Sequence, residues 1–209
     1  NMQITSGTIK ANTLAASEAL TLTGGTINAA NISAGTNLIH NGAIITADND
    51  VTISAGNKIN LQSGRLTANG AAFVVTNGTA GANSIVESAS GYNLGVGSLS
   101  LSANQGNITL KGTDNVLQSV TLADVGGNVE IVNGNDTNKN VLIVSTAEGT
   151  TVGGIIKIVN KGEGITVAGI NATNNVSLTA DKGIAVTGSF TTTGDVVLDA
   201  DADISIAGG

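Results

Sequence analysis

The sequence predicts an all-β chain folded as a parallel β-helix, a solenoid of about 20 residues per coil, and three observations carry that prediction. The first is a fixed step in the last quarter of the chain. In-out-in triplets begin 20 residues apart at Ile156-Lys157-Ile158, Val176-Ser177-Leu178 and Val196-Val197-Leu198. A second series, Ile165-Thr166-Val167, Ile184-Ala185-Val186 and Ile204-Ser205-Ile206, interleaves at steps of 19 and 20. A third is fainter: Ile170 and Phe190 each follow a glycine, Gly169 or Gly188, with Gly208 in step. Alternation over three residues buries the outer two side chains and exposes the middle one. Strands recurring at constant step are what stacked coils require.

The second observation is composition. Hydrophobic residues make up 41% of the 209, yet aromatics only 1%, which suits a narrow core of stacked aliphatic side chains. Glycine numbers 29 and proline is absent. A chain that donates backbone hydrogen bonds to its neighbouring coil along most of its length has little room for proline. The third observation is that every break in the alternation is rich in Gly, Asn or Asp, the residues that tolerate tight corners.

Taken in order, the first part repeats less evenly. Gly7-Thr8-Ile9-Lys10-Ala11, Gly25-Thr26-Ile27-Asn28-Ala29, Gly42-Ala43-Ile44-Ile45-Thr46 and Gly64-Arg65-Leu66-Thr67-Ala68 start 18, 17 and 22 residues apart, with Leu20-Thr21-Leu22, Val51-Thr52-Ile53 and Ile59-Asn60-Leu61 between them. The middle repeats at 21: Leu99-Ser100-Leu101, Val120-Thr121-Leu122 and Val141-Leu142-Ile143 form one series, and Ile108-Thr109-Leu110 with Val129-Glu130-Ile131 another. Two runs break the rhythm, residues 69–98 with Phe73 and Tyr92, and residues 144–155. Each reads as a loop leaving the shaft or as a longer coil. No segment shows a helical apolar period with caps. The whole of 1–209 reads as one elongated shaft fragment.

Several function classes fall away. No cysteine is present, so disulfides and thiolate metal sites are excluded. The net charge is −7 and the eight Lys and Arg are scattered, which argues against nucleic acid as a partner. No apolar run approaches the roughly 18 residues of a membrane span. No signal peptide opens the chain, since Asn1-Met2-Gln3-Ile4 has no basic start with an apolar run behind it.

Catalytic chemistry is poorly supplied. The single histidine, His40, has no G-x-S-x-G nucleophile to serve and reads as a surface or corner residue. Glycan-cleaving β-helices need paired acids in a groove with basic and aromatic company, and this chain has one Arg, two Phe, one Tyr and no Trp. The acid cluster is Asp195, Asp199, Asp201 and Asp203. The last three alternate outward and are the calcium candidates, through their oxygens. A solvated, self-repelling corner is the favoured reading, because no EF-hand or G-G-x-G-x-D spacing is present. Six N-x-[ST] sequons, at Asn31, Asn77, Asn107, Asn135, Asn171 and Asn175, are about the number that so much Asn, Ser and Thr produces by composition. No enzyme activity, cofactor or catalytic residue is expected.

With the repeats laid out, segments such as NVSLTADKGIAVTG (175–188), NDVTISAGNKINLQSG (49–64) and GGTINAANIS (24–33) carry a resemblance. The chain resembles the shaft of filamentous-haemagglutinin-type exoproteins, the secreted partners of two-partner secretion systems, whose loose pattern is V-x-[LI]-x-A, a polar corner, then I-x-[LV]. The resemblance implies a right-handed helix, passage through an outer-membrane transporter, an extracellular place on the bacterial cell surface, and adhesion to a glycan or protein receptor on host cells, matrix or other bacteria. That family's amino-terminal secretion domain carries N-P-N motifs, which a chain without proline lacks. An internal piece, cut at both ends through a longer shaft, is therefore expected. Stalks of contact-dependent toxin-delivery proteins and autotransporter passengers share such shafts and are alternatives. So is a glycan-binding or glycan-processing β-helix.

Overall fold

The computed structural model describes residues 1–88, 91–134 and 140–207. Among them, strands run from Met2–Ile4 to Ile204–Ile206, with no helix. Every pairing between them is parallel. The chain is a parallel β-solenoid of about 9 turns, with roughly 21 residues between stacked strands. Gly208 and Asn135 lie outside the described residues.

One wall runs the full length. Residues 2–4 pair with 20–22, these with 38–40, then 59–61 and 85–87. The ladder continues through 108–110, 129–131, 156–158, 176–178 and 196–198. A second wall is built by residues 8–11, 26–29, 44–47, 65–68 and 93–96. A third starts at residues 13–16 and passes through 31–34, 52–55, 73–76 and 98–103 to 119–125. Residues 143–146 and then Ile165–Ala172 extend it.

The core follows from parity. Alternate residues of each strand point inward, and the inward residue of one coil lands on that of the next. Thus Ile156, Val176, Ile158 and Leu178 are fully buried while Lys157 and Ser177 between them face out. Removing such an aliphatic side chain from water is worth about 1.5–3 kcal/mol. Stacking on the coils above and below shields it from water on both sides. The register expected from the last triplets is the one observed: Val176 on Val196, Ile184 on Ile204, Ile170 on Phe190. Val196, Ile204 and Ile206 are nonetheless exposed. No further coil of the described chain covers them.

Two expected registers are corrected. Val141-Leu142-Ile143 does not continue the series of Val120-Thr121-Leu122; Val144 stacks on Val120 and Leu142 on Ile165, so Val141 and Ile143 face solvent. The run Val141–Val144 is apolar throughout, so alternation alone fits either parity. Nor does Gly42 occupy the place of Gly25 and Gly64. Thr26 pairs with Ile44 and Ile27 with Ile45, an irregularity that puts Ala43 in the glycine position and turns Ile44 outward.

The two irregular runs sit as follows. Of residues 69–98, those up to Thr76 end the strand Lys58–Thr76, Asn83–Glu87 is a strand of the full-length wall, and Tyr92 opens Tyr92–Ala103; residues 89–90 lie outside the described residues. Of residues 144–155, 144–146 are paired, a turn closed by Thr150 N–H to the Ala147 carbonyl follows, and Val152 bridges to Ala172.

Candidate functional site

The inward column that should be purely aliphatic carries polar groups in the middle coils. It runs Leu22, His40, Leu61 and Glu87 in successive rungs of the full-length wall. His40 is 0% exposed, which corrects its expected surface or corner place. Its parity was readable: Leu38-Ile39-His40 is an in-out-in triplet aligned on Leu20-Thr21-Leu22.

Both ring nitrogens of His40 are engaged. Nε2 lies 2.7 Å from the Ala43 carbonyl and Nδ1 2.7 Å from the Tyr92 hydroxyl. A carbonyl only accepts, so Nε2 carries the hydrogen and Nδ1 accepts from the phenol. The rings meet edge to face with centroids 5.1 Å apart. Burial pushes the His40 pKa down to about 4, against the raising effect of the Ala43 carbonyl. Burial, then the Glu87 charge, raises the Tyr92 phenol well above its usual range. Gly64 lies in the rung between them and makes the contact feasible. A Cβ there would sit 2.3 Å from the Ala43 oxygen and 3.0 Å from His40 Nε2, and its φ is +111°.

Glu87, 3% exposed, faces the same interior. Its Oε2 accepts from Gly112 N–H at 2.6 Å and from Asn115 Nδ2 at 2.7 Å; Oε1 has no partner among the described residues. Burial drives its pKa up to about 7, and the two hydrogen bonds pull the other way.

Beyond Glu87 buried asparagines take over. Residues 111–118 form no strand, so the second wall loses its ladder there. Side-chain amides satisfy the backbone instead. Asn115 Oδ1 accepts from Leu94 N–H at 3.1 Å. Asn133 accepts from Leu117 N–H and donates to its carbonyl, at 2.9 and 3.0 Å. Asn133 also donates to Asn160 Oδ1 at 2.9 Å, and Asn160 donates to the carbonyls of Asn140 and Gly164. Each amide replaces backbone partners that a regular strand would have supplied. Sequence reading missed these three residues; their signal was an Asn at the inward position after a triplet, at Asn133 and Asn160. Because these groups point into the core, they serve the architecture of the coils.

On the outside, one groove is chemically distinct. It measures about 430 Å³ and is lined by Arg65, Asn93, Gly95, Val96, Gly97, Val116 and Gln118. Arg65 pairs with Asn93 and Thr67 with Gly95 on the second wall, and Gln118 hydrogen-bonds back to Gly97 from the next coil. Asn93 Nδ2 donates to the Asp114 carbonyl at 2.8 Å, while its shielded Oδ1 has no partner among the described residues. Arg65, the only arginine, forms no ion pair or hydrogen bond among the described residues. A corner groove beside Lys10 and Asp48 is by contrast bonded to itself, through Asn28 to Asp48 and Ala71 N–H to Asp50.

Asp199 lies at the outward parity of Val196–Ala200, and Asp201 and Asp203 on the corner before Ile204–Ile206, all exposed. Among the described residues no three His, Cys, Asp or Glu side chains converge as a metal site would require. No described helix is long and apolar enough to cross a membrane, which says nothing of strands.

Comparison with protein-family models, with curated proteins and with solved structures finds no match for this chain.

Proposed function

We propose that this chain is part of the shaft of a secreted bacterial surface adhesin, a stiff spacer that presents contact surfaces to host cells, matrix or other bacteria. The observation that carries the reading is the full-length wall: one ladder of parallel strands over an aliphatic core, with Ser, Thr and Asn turned outward. Each coil rests only on its neighbours, so length grows without a larger core, the economy a stalk needs. The repeat resemblance to filamentous-haemagglutinin-type shafts supplies the adhesive role and the export route. A chain without cysteine suits threading unfolded through an outer-membrane transporter. The reading assigns no catalytic step, cofactor or metal.

Beads coated with the folded chain should adhere to epithelial cells, matrix-coated surfaces or bacteria more than beads bearing a scrambled-sequence protein. Equal retention on every surface would overturn the adhesive reading. A second reading, a β-helix that binds glycan along its wall, is favoured by the Arg65 groove.

A further inference from the structure

We infer that the groove between Arg65 and Gln118 binds the carboxylate-bearing sugar of an acidic glycan, a uronate residue.

The groove combines three features. Among the described residues Arg65 presents an unpaired guanidinium, whose planar fork matches a carboxylate in bidentate fashion. Asn93 and Gln118 bring side-chain amides to Gly95 and Gly97 of the same groove. An amide donates and accepts, as a sugar hydroxyl does, and the exposed Gln118 amide is the one placed to do so, because Asn93 Oδ1 is shielded and Asn93 Nδ2 is bonded to the Asp114 carbonyl. Gly95 and Gly97 leave the floor without side chains. A Cβ on Gly95 would lie 3.2 Å from Asn93 Oδ1 and 3.7 Å from Arg65 Nη2; one on Gly97 would meet only the Gln118 amide, at 3.7 Å. Space and polar groups therefore coincide.

Charge selects the kind of anion. The chain carries −7 overall and this groove a single cation, so a polyanion gains one contact and meets general repulsion. A single uronate carboxylate among neutral sugars is matched. An acidic peptide is disfavoured because peptide recognition draws on an apolar anchor pocket or an open strand edge, and this floor offers glycine backbone flanked by amides.

The inference rests on the adhesive-shaft reading for its biological sense, and its test is separate. The ¹⁵N-labelled chain is titrated with sodium glucuronate, and in parallel with glucose, sodium acetate and an acetylated Asp-Glu dipeptide. Saturable shifts are expected at the amides of Gly95, Gly97 and Gln118 with glucuronate alone. Arg65→Gln should weaken binding at least about tenfold. Gly97→Leu, which fills the groove without touching the guanidinium, should do the same, with both variants melting as the parent does. The inference fails if the groove amides do not respond, if Arg65→Gln binds as the parent does, or if acetate or the dipeptide matches glucuronate. Such failure leaves bead attachment untouched. Loss of bead attachment with a positive titration refutes the adhesin and keeps the groove.

Discussion

The hydroxyl of Tyr92 donates to Nδ1 of His40 across 2.7 Å, past the bare Cα of Gly64. The phenol enters the second wall opposite Gly64, while the imidazole stands in the full-length wall, so the bond ties two walls inside the core. Tyr92→Phe keeps the ring and deletes the donor, leaving a buried imidazole nitrogen unpaired. A loss of about 1–3 kcal/mol is expected in urea unfolding. Gly64→Ala should cost more, because the new methyl meets the Ala43 carbonyl and the backbone φ is positive. Wild-type stability in either variant would show that the contact is not maintained in solution.

The same interior couples folding to pH in two opposed ways. Glu87 is raised from an ordinary 4.5 to about 7, so its contribution is complete below pH 4.5 and is lost as pH rises to about 7. His40 is lowered from 6.5 to about 4, so its contribution is complete above pH 6.5 and is lost as pH falls to about 4. Each slope is about 1.4 kcal/mol per pH unit. Between pH 4.5 and 6.5 they cancel, and Tyr92, the other titratable group in the cluster, stays neutral. Glu87→Gln should unmask the histidine: between pH 4.5 and 6.5, where the parent's profile is flat, the variant's stability should rise by about 3 kcal/mol. His40→Leu combined with Tyr92→Phe should unmask the acid, with stability falling from pH 4.5 to 7. Parallel profiles for parent and variants would rule the coupling out.

How much of this was legible beforehand depended on whether parity and step agreed. From Ile156 to Ile206 they did, and the strand pairs Val176–Val196 and Ile184–Ile204 were readable directly. At Val141–Val144 a continuous apolar run fitted both parities, and the step of 21 chose the wrong one. His40 reads as a surface residue by its type, although its position after Leu38-Ile39 places it inside, and Glu87 takes the same inward parity after Ile85-Val86. The partners that make their burial tolerable, Tyr92, Asn115 and the Gly112 N–H, lie 25 to 52 residues away in chain number. Alternation cannot reveal them. The Arg65 groove was hidden for the same reason, because it is assembled from three successive coils.

Burial decides what a charge costs. Ile184 is 1% exposed and Ile206 69%, although both end up at inward parity on paired strands. Ile184→Asp should lose several kcal/mol, from missing apolar burial and an unpaired charge. Ile206→Asp should stay within about 0.5 kcal/mol of the parent. Equal effects in thermal melts would contradict the stacking order.

Shape follows from the stack. About 9 turns at the ordinary strand spacing of about 4.8 Å give a body roughly 45 Å along its axis. Small-angle scattering should return an elongated particle, and circular dichroism a strand spectrum without helical minima. A spherical envelope or a helical spectrum would contradict the fold.

The asparagine ladder has an internal control in the chain itself. Asn133, Asn160, Ala180 and Ala200 stand in one column of the full-length wall. Alanine is therefore sterically at home there, and at Asn133 and Asn160 the amides make hydrogen bonds that alanine cannot. There Asn160 serves the carbonyls of Asn140 and Gly164 and accepts from Asn133. Asn160→Ala should cost about 2–4 kcal/mol, since buried carbonyls and an amide lose partners while little volume changes hands. Asn133→Ala should cost a similar amount by freeing Leu117 N–H and C=O. The double variant should cost less than the two singles together, because their mutual bond of 2.9 Å is counted in both. Additive losses would mean that the two amides act separately. A loss near zero for Asn160→Ala would mean that water reaches these carbonyls and the ladder does not hold the middle coils.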